Sequence, residues 1–214
     1  MTQKERQERS RREILRAARE EFGSHDYGQV AMESICSGHG ISKGMMYHYY
    51  ANKDELFLLC VQDTFLSLRA YVEREAEKLA GQKNFDAIKK YFMIREYFFQ
   101  LEPKHKRVFE NAMLRPPEQL REQIQILHRP LEEMNRRFLR VVVSGMRRRP
   151  ELKEEQVNRY LESIVYTFSD MLLRGRTLED IHAMLEATEE LLDMILFGMF
   201  QQADAPSREQ KTEQ

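Results

Sequence analysis

Residues 32–57 read MESICSGHGISKGMMYHYYANKDELF and contain two runs compatible with short helices, Met32 to Ser37 and Lys43 to Tyr49. The sequence GHGIS at residues 38–42 separates them. Its glycines can end the first helix, and Ser42 can cap the second. Two short helices joined by a tight turn with glycine are typical of a helix-turn-helix. The sequence therefore predicts a helix-turn-helix at this point.

In a helix-turn-helix the first helix supports the second, which is free to enter the major groove of DNA. The supported face must be apolar, and Ile35, Ile41 and Met46 stand at suitable positions. The other face then carries small or polar side chains suited to phosphates and base edges. The residues predicted on that outward face are Lys43, Gly44, Met45, Tyr47 and His48.

A first helix is expected to support the helix-turn-helix from behind. Ser10 followed by Glu13 fits a capping box, and an apolar stripe at helical spacing continues to Gly23. Residues 2–9 are charged and lack hydrophobic periodicity, so we expect a mobile arm. Its arginines either enter a minor groove of DNA or belong to a solvated tail, and both interpretations stay open. These arginines are Arg6, Arg9, Arg11 and Arg12.

A larger ordered set of residues, between positions 10 and 60, carries a family resemblance. The set is Ile14-Leu15-Arg16-Ala17-Ala18, Phe22, Gly23, Tyr27, Ile35, Gly40-Ile41-Ser42-Lys43-Gly44, Tyr47, Tyr50, Asn52-Lys53 and Leu56-Phe57. It resembles the DNA-binding domain of the TetR family of transcriptional repressors. The resemblance implies that Tyr47 and Lys53 anchor phosphates. It also implies that four residues lie nearer to base edges: Ser42, Gly44, Met45 and His48.

The chain departs from the family pattern around the second helix. Val30 and Ala31 stand where the family usually has small hydroxyl residues, so a side-chain N-cap is missing. Cys36 and Gly38 replace residues that are commonly alanine, and glycine costs about 1 kcal/mol of helix propensity relative to alanine. We expect these departures to affect the stability of the second helix rather than the fold.

The resemblance and the 214-residue length imply an all-α protein with two domains. Residues 1–51 are predicted to form a three-helix, helix-turn-helix DNA-binding domain. Residues 52–202 are predicted to form a helical ligand-binding and dimerisation domain, and the polar residues 203–214 a disordered tail. Within the second domain the periodicity predicts helices from Asn52 to about Ala80, Asn84 to Leu101, Pro103 to about Leu114, Leu120 through Pro130 to beyond Val142, Pro150 to near Gly175, and Thr177 to about Phe200.

The last two predicted helices have apolar stripes too wide for a single neighbour, which indicates self-association as well as a core. Two helices from each subunit would then form a four-helix bundle in a homodimer. The predicted dimer-interface residues are Val157, Leu161, Ile164, Phe168, Leu185, Leu192, Ile195 and Met199.

Methionine and aromatic side chains are plentiful in the middle helices and can adapt to varied apolar ligands. Plain core packing is the simpler interpretation for each of them, and a pocket is implied only by the family resemblance. The candidate ligand-binding residues are Phe65, Phe92, Tyr97, Phe98, Met113, Met134, Phe138, Tyr166 and Met171.

Charge and cysteine content limit the other possibilities. The net charge is −1, but residues 1–53 carry nine basic and seven acidic side chains, a small asymmetry of the sign that DNA binding needs. Cys36 and Cys60 lack the spacing of a metal site or disulfide framework, and oxidant sensing would require a thiolate of low pKa. Six arginines form a basic cluster, which either attracts an anionic ligand or is a solvated helix face. They are Arg136, Arg137, Arg140, Arg147, Arg148 and Arg149.

No catalytic or zinc-binding spacing is evident, so we expect neither an enzyme nor a cofactor. The N-terminus lacks the apolar core of a signal peptide, and no apolar run reaches membrane-spanning length. A cytoplasmic protein is therefore predicted. The predicted function is a ligand-responsive repressor that binds a near-palindromic operator as a homodimer and is released by a small apolar or amphipathic inducer. An activator of the same fold and a helical protein-interaction module are the alternatives.

Overall fold

The structure, a computed structural model, describes residues 2–82, 85–144, 146–161, 163, 190–191 and 193–200. Within these ranges the chain is α-helical, as predicted, and a single isolated bridge between Arg148 and Phe200 is the only strand-like pairing. The predicted tail at residues 203–214 lies outside the described residues.

Seven helices have both ends within the described residues. They are α1 (Gln3–Phe22), α2 (Met32–Gly38), α3 (Lys43–Tyr49), α4 (Lys53–Ala76), α5 (Phe85–Leu101), α6 (Pro103–Met113) and α7 (Arg121–Val143). Short 3-10 turns occupy Tyr27–Gln29, Glu77–Leu79 and Glu118–Leu120. Residues 154–161 and 193–199 are also helical.

The first helix begins earlier than the sequence predicts. The prediction of a mobile arm at residues 2–9 was therefore wrong. Helix α1 starts at Gln3, and a capping box of Thr2 and Glu5 closes its N-terminus. The Thr2 hydroxyl accepts the Glu5 N–H at 3.2 Å, and the Glu5 carboxylate accepts the Thr2 N–H at 2.7 Å. Gln, Lys, Glu and Arg are good helix formers, so a stretch without apolar residues extends the helix into solvent.

The bounds of α2 to α7 agree closely with the sequence. The helix predicted to open at Pro150 begins at residue 154 instead, and the predicted boundaries near Gly175 and Thr177 lie outside the described residues. The Asn52 side chain accepts the Glu55 N–H at 3.0 Å and caps α4. Gly81 follows α4 with a φ of 82°, a left-handed conformation that suits glycine. Around Pro130 the sequence is compatible with one bent helix or with two helices nearly in line. The structure has the single helix, because α7 continues through this proline.

The described residues divide into two compact units. The first contains Met1–Lys78 and Met93–Asn135, and the second contains Leu79–Phe92 and Arg136–Gln214. In the first unit α1 packs against α2, α3, α4 and α6, and α4 also packs against α6. A domain boundary at residue 51 stays a prediction, because this unit extends beyond the helix-turn-helix.

The core of the second unit uses residues that the sequence assigns to the dimer interface. Val157, Leu161 and Met199 are buried there, and Ile195 packs against them. These four side chains are therefore packed within one chain and do not form a free surface. Five apolar side chains from segments 79–92 and 136–144 belong to the same core: Ala87, Ile88, Phe92, Leu139 and Val142. The other predicted interface residues lie outside the described residues: Ile164, Phe168, Leu185 and Leu192.

Helix α6 fixes the end of α1 through a buried amide. Asn111 is buried and donates hydrogen bonds to the Phe22 carbonyl at 3.2 Å and the His25 carbonyl at 3.0 Å. These carbonyls belong to the C-terminal end of α1, where intrahelical partners are missing. Gly23 permits the close approach, since an added Cβ would lie 2.8 Å from the Lys104 Cβ.

We expect Asn111→Ala to lower the free energy of unfolding by about 2–3 kcal/mol, because two carbonyls lose a buried donor. Urea denaturation measures this change. Lys104→Ala is the matched control on the exposed rim of the same contact, where Lys104 reaches Glu20 and Ser24. Its effect should be much smaller, and equal losses for the two variants would contradict the assignment.

A second buried polar contact joins α4 and α6. His105 is buried, and its Nδ1 lies 2.8 Å from the Thr64 hydroxyl. Burial lowers the pKa of His105, and the positive charge of Arg19 lowers it further. Asp63 and Glu102 act in the opposite direction. The folded state therefore favours the neutral imidazole.

This lowered pKa makes stability depend on pH. Below the ordinary histidine pKa of 6.5 the unfolded chain binds a proton that the folded chain resists, so stability falls as the pH falls. We expect His105→Asn to flatten the slope of unfolding free energy between about pH 6.5 and 5.5. The control is the same substitution at the exposed His48. Identical slopes for His105→Asn and the unmodified protein would refute the contribution.

Candidate nucleic-acid interface

The turn between α2 and α3 has the tight geometry that the sequence predicts. Gly40 adopts a φ of 66°, a left-handed conformation that L-residues rarely occupy. The Ile41 N–H donates to the Cys36 carbonyl at 3.0 Å, and the Ser42 hydroxyl accepts the Met45 N–H at 3.1 Å. One glycine and one N-cap thus set the direction in which α3 leaves α2.

Buried apolar side chains hold α3 in place. Ile35, Ile41 and Met46 are buried, which confirms their predicted role as anchors. The missing N-cap of α2 is also confirmed, because Ala31 precedes the helix and has no side-chain oxygen. Ser34 compensates in part, since its hydroxyl accepts the Ala31 N–H at 3.2 Å.

The opposite side of α3 faces solvent and forms a reading face of four residues, Lys43, Gly44, Tyr47 and His48. The Lys43 side chain is 66% exposed, and Tyr47 is 50% exposed. A Cβ at Gly44 would meet nothing within 4 Å, so the backbone is open to close approach. Met45 is half-buried, and the hydroxyl of the exposed Ser42 is already used as the N-cap.

Lys53 has a different environment from the other predicted DNA-contact residues. Its ammonium donates to the carbonyls of Tyr27 and Val30, both at 3.1 Å, and lies 4.3 Å from the centre of the Tyr27 ring. Two of its three N–H groups therefore hold the segment before α2 against the start of α4. One N–H remains for a phosphate oxygen.

A hydrogen-bonded group that the sequence did not indicate lies beside Lys53. The Tyr27 phenol donates a short hydrogen bond to Asp54, and Gln119 donates to the Tyr27 hydroxyl at 3.1 Å and to Asp54 at 3.2 Å. Burial raises the pKa of Tyr27, and the hydrogen bond to the Asp54 carboxylate raises it further. The phenol therefore stays protonated. Gln119 has no sequence signal, because it stands outside the helix-turn-helix.

Glu33 is another residue near the reading face whose role the sequence did not indicate. It lies in the first turn of α2, and its Oε1 is 3.7 Å from the Lys43 ammonium and 3.5 Å from the Tyr47 hydroxyl. Its side chain is 59% exposed. A negative charge therefore lies at the edge of the reading face, next to two of its donors.

Comparison with known proteins identifies this arrangement. Residues 14–60 match the family model described as bacterial regulatory proteins, tetR family. This part of the chain is similar to that family of regulatory proteins. The match covers α2, α3 and the residues around them. No curated protein matches the chain in sequence.

Solved structures of TetR-type regulators share the fold. A TetR family transcriptional regulator of Chloroflexus aurantiacus is 18% identical, with 91% of this chain and 94% of that chain covered and a TM-score of 0.63. NalD of Pseudomonas aeruginosa, the secondary repressor of the MexAB-OprM multidrug efflux pump, is 21% identical over 93% and 100% of the two chains, with a TM-score of 0.64. The fatty acid degradation regulator FadR of Bacillus halodurans is 16% identical over 86% and 94%, with a TM-score of 0.60.

The candidate ligand-binding residues of the chain fall into separate groups. Phe65, Phe98 and Met134 are buried in the first unit, where Met113 is half-buried. Phe92 and Phe138 belong to the core of the second unit. Tyr97 is 51% exposed and does not line an interior. Two more candidates lie outside the described residues: Tyr166 and Met171.

The interior of the first unit also contains polar groups that the sequence analysis missed. Phe65 lies 5.2 Å from the ring of His128 and 5.6 Å from that of Phe109. Glu96 is buried, and its Oε1 lies 4.0 Å from the Lys106 ammonium. Burial raises the pKa of Glu96 and lowers that of His128.

Both cysteines of the chain are buried and free. Burial raises the pKa of Cys36, and it raises the pKa of Cys60 to about 12. A thiol of raised pKa is a poor nucleophile, so the structure disfavours oxidant sensing. Within the described part of the chain, no three metal-ligating side chains are grouped and no helix has the length and apolar character needed to cross a membrane.

The two lysines of this interface should respond differently to the same substitution. We expect Lys53→Met to lower the free energy of unfolding by roughly 1–2 kcal/mol, because two carbonyls and an aromatic ring lose their cation. Lys43→Met, on the exposed reading face, should cause little change. Urea denaturation compares the two variants, and equal stabilities would show that the Lys53 contacts contribute nothing.

Proposed function

We propose that this chain is a ligand-responsive transcriptional repressor that binds a near-palindromic operator as a homodimer. The observation that supports this proposal most directly is the reading face, which exposes a lysine, a tyrosine and a histidine on a helix whose other side is buried. A protein-protein recognition helix would more commonly expose apolar anchors. A chromosomal operator would also place the protein in the cytoplasm.

Each residue of the interface has a proposed role. Lys43 and Tyr47 donate to phosphates, and His48 reaches a base edge or a phosphate in the major groove. Ser42 and Met45 lie at the margin of the same surface, and Gly44 lets the backbone approach DNA. Lys53 supports the segment before α2 and offers its remaining N–H to a phosphate.

Dimerisation would set the distance between two such interfaces. A dimer that reads successive major-groove sites needs its reading faces about 34–36 Å apart. Because three predicted interface residues are core residues, the better candidates are those that remain exposed on the same segments. These are Tyr160, Leu191 and Met194.

The proposed inducer is a small apolar or amphipathic molecule that binds in the first unit. Phe65, Phe98 and Phe109 would supply apolar contacts, and His128 and Glu96 would supply polar ones. If the inducer and the operator favour different arrangements of the dimer, each weakens the binding of the other by the same factor, typically 5–150-fold. An activator of the same fold would share all of these contacts.

DNA binding is tested with exposed residues, so that folding is not disturbed. We expect Lys43→Met combined with Tyr47→Phe to weaken binding of the full-length protein to duplex DNA roughly tenfold or more at about 100 mM salt. The salt slope should also fall by about one for each bound interface. Fluorescence anisotropy with a labelled duplex of about 30 base pairs measures both quantities.

Lys78→Met is the matched control, because Lys78 is an exposed lysine beyond the far end of α4. It should bind DNA like the unmodified protein. Unchanged affinity in the Lys43 and Tyr47 variant would refute the proposed interface. Salt-insensitive binding to a protein partner, without DNA binding, would favour the interaction module instead.

A further inference from the structure

We infer that Glu33 is an affinity-limiting residue of the DNA interface, because its carboxylate competes with DNA phosphates for Lys43 and Tyr47. This inference rests on the proposed function. Glu33 is the only acidic residue between Asp26 and Asp54, so it is the only negative side chain of the helix-turn-helix itself. It is therefore the one residue of this segment whose charge opposes DNA binding.

The geometry places one carboxylate oxygen next to both proposed phosphate donors. Oε1 of Glu33 lies 3.7 Å from Nζ of Lys43 and 3.5 Å from Oη of Tyr47. An anionic oxygen that satisfies a lysine and a tyrosine hydroxyl resembles the phosphate oxygen they are proposed to bind. In the free protein, the carboxylate occupies the place that a phosphate would take.

Binding of DNA then has an added electrostatic cost. Lys43 and Tyr47 must exchange the carboxylate for a phosphate, and the carboxylate stays within several ångströms of that phosphate. Two negative charges at such a distance repel each other in a partly desolvated interface. Phosphate contacts carry no sequence information, so this cost weakens binding to every duplex alike.

The contact of Glu33 with Lys43 and Tyr47 affects the affinity for DNA more than the stability of the fold. All three side chains are largely exposed, and exposed ion pairs contribute little to stability. Glu33 lies in the first turn of α2, where a carboxylate also interacts favourably with the helix N-terminus. It therefore keeps its place without being needed for packing.

The test is Glu33→Gln in the full-length protein, with binding to a labelled duplex of arbitrary sequence measured by fluorescence anisotropy. We expect roughly three- to tenfold tighter binding at about 50 mM salt, and a smaller gain at about 200 mM as screening increases. Thermal melting by circular dichroism verifies that the fold is unchanged. Glutamine keeps the size and removes only the charge.

Two further variants isolate the mechanism. Glu77→Gln makes the same change in net charge just beyond α4, whose 24 residues span about 36 Å, and should change affinity less than about twofold. In a background that already carries Lys43→Met and Tyr47→Phe, the gain from Glu33→Gln should shrink to less than about twofold, because the contested donors are gone.

The possible results separate this inference from the proposed function. Failure of both the unmodified protein and Glu33→Gln to bind any duplex at low salt would overturn the proposed function and the inference together. If the unmodified protein binds and Glu33→Gln binds equally or more weakly, the inference alone is wrong. A weaker, sequence-dependent interaction would instead show that Glu33 reads a base, since a carboxylate can accept from cytosine N4. Equal gains in DNA affinity for Glu33→Gln and Glu77→Gln would show that net charge alone causes the effect. That result would also overturn the inference.

Discussion

The rest of the structure depends on how a helix of only seven residues is held. Helix α3 is too short to be stable in isolation, because nucleation of a helix is costly and two turns recover little of it. Burial of Ile41 and Met46 supplies the missing free energy. Gly40 and the Ser42 cap then fix the direction of the helix. The side chains that remain outside this packing are the ones available to DNA.

The sequence predicts this unit well because its signals are local. Gly40, Ser42 and Asn52 act on backbone groups within a few residues, so position in the chain is enough to assign them. The apolar spacing of Ile35, Ile41 and Met46 likewise follows from helix geometry. The same local rules predicted the bounds of α3 to α6. They misplaced the start of α1, because Thr2 with Glu5 and Ser10 with Glu13 offer the same capping pattern.

Other features that the sequence could not predict depend on contacts between distant segments. Asn111 meets the end of α1, and Gln119 meets Tyr27 and Asp54 across more than sixty positions of the chain. A second subunit and the chain itself are equally able to bury a wide apolar stripe on the last helices. The structure uses Val157 and Leu161 within the chain. Periodicity indicates that a face is buried but not which partner buries it.

Lys43 and Lys53 show why charge counting alone does not describe the interface. Both lysines stand in the first turn of a helix, yet Lys53 turns inward to two carbonyls and Lys43 extends into solvent beside a carboxylate. The small positive excess of residues 1–53 therefore does not show which charges are exposed on the reading face; only the contacts of each side chain do.

The position of Gln119 connects the turn before α7 to the residues around Lys53. Gln119 belongs to the turn that leads into α7, and it bonds to the same Tyr27 and Asp54 that flank Lys53. The start of α4, the segment before α2 and the turn before α7 therefore form one hydrogen-bonded group within the first unit. A shift of α7 would disturb the contacts that orient the segment before α2. If the chain binds DNA as proposed, such a shift would also misalign the reading face and weaken binding.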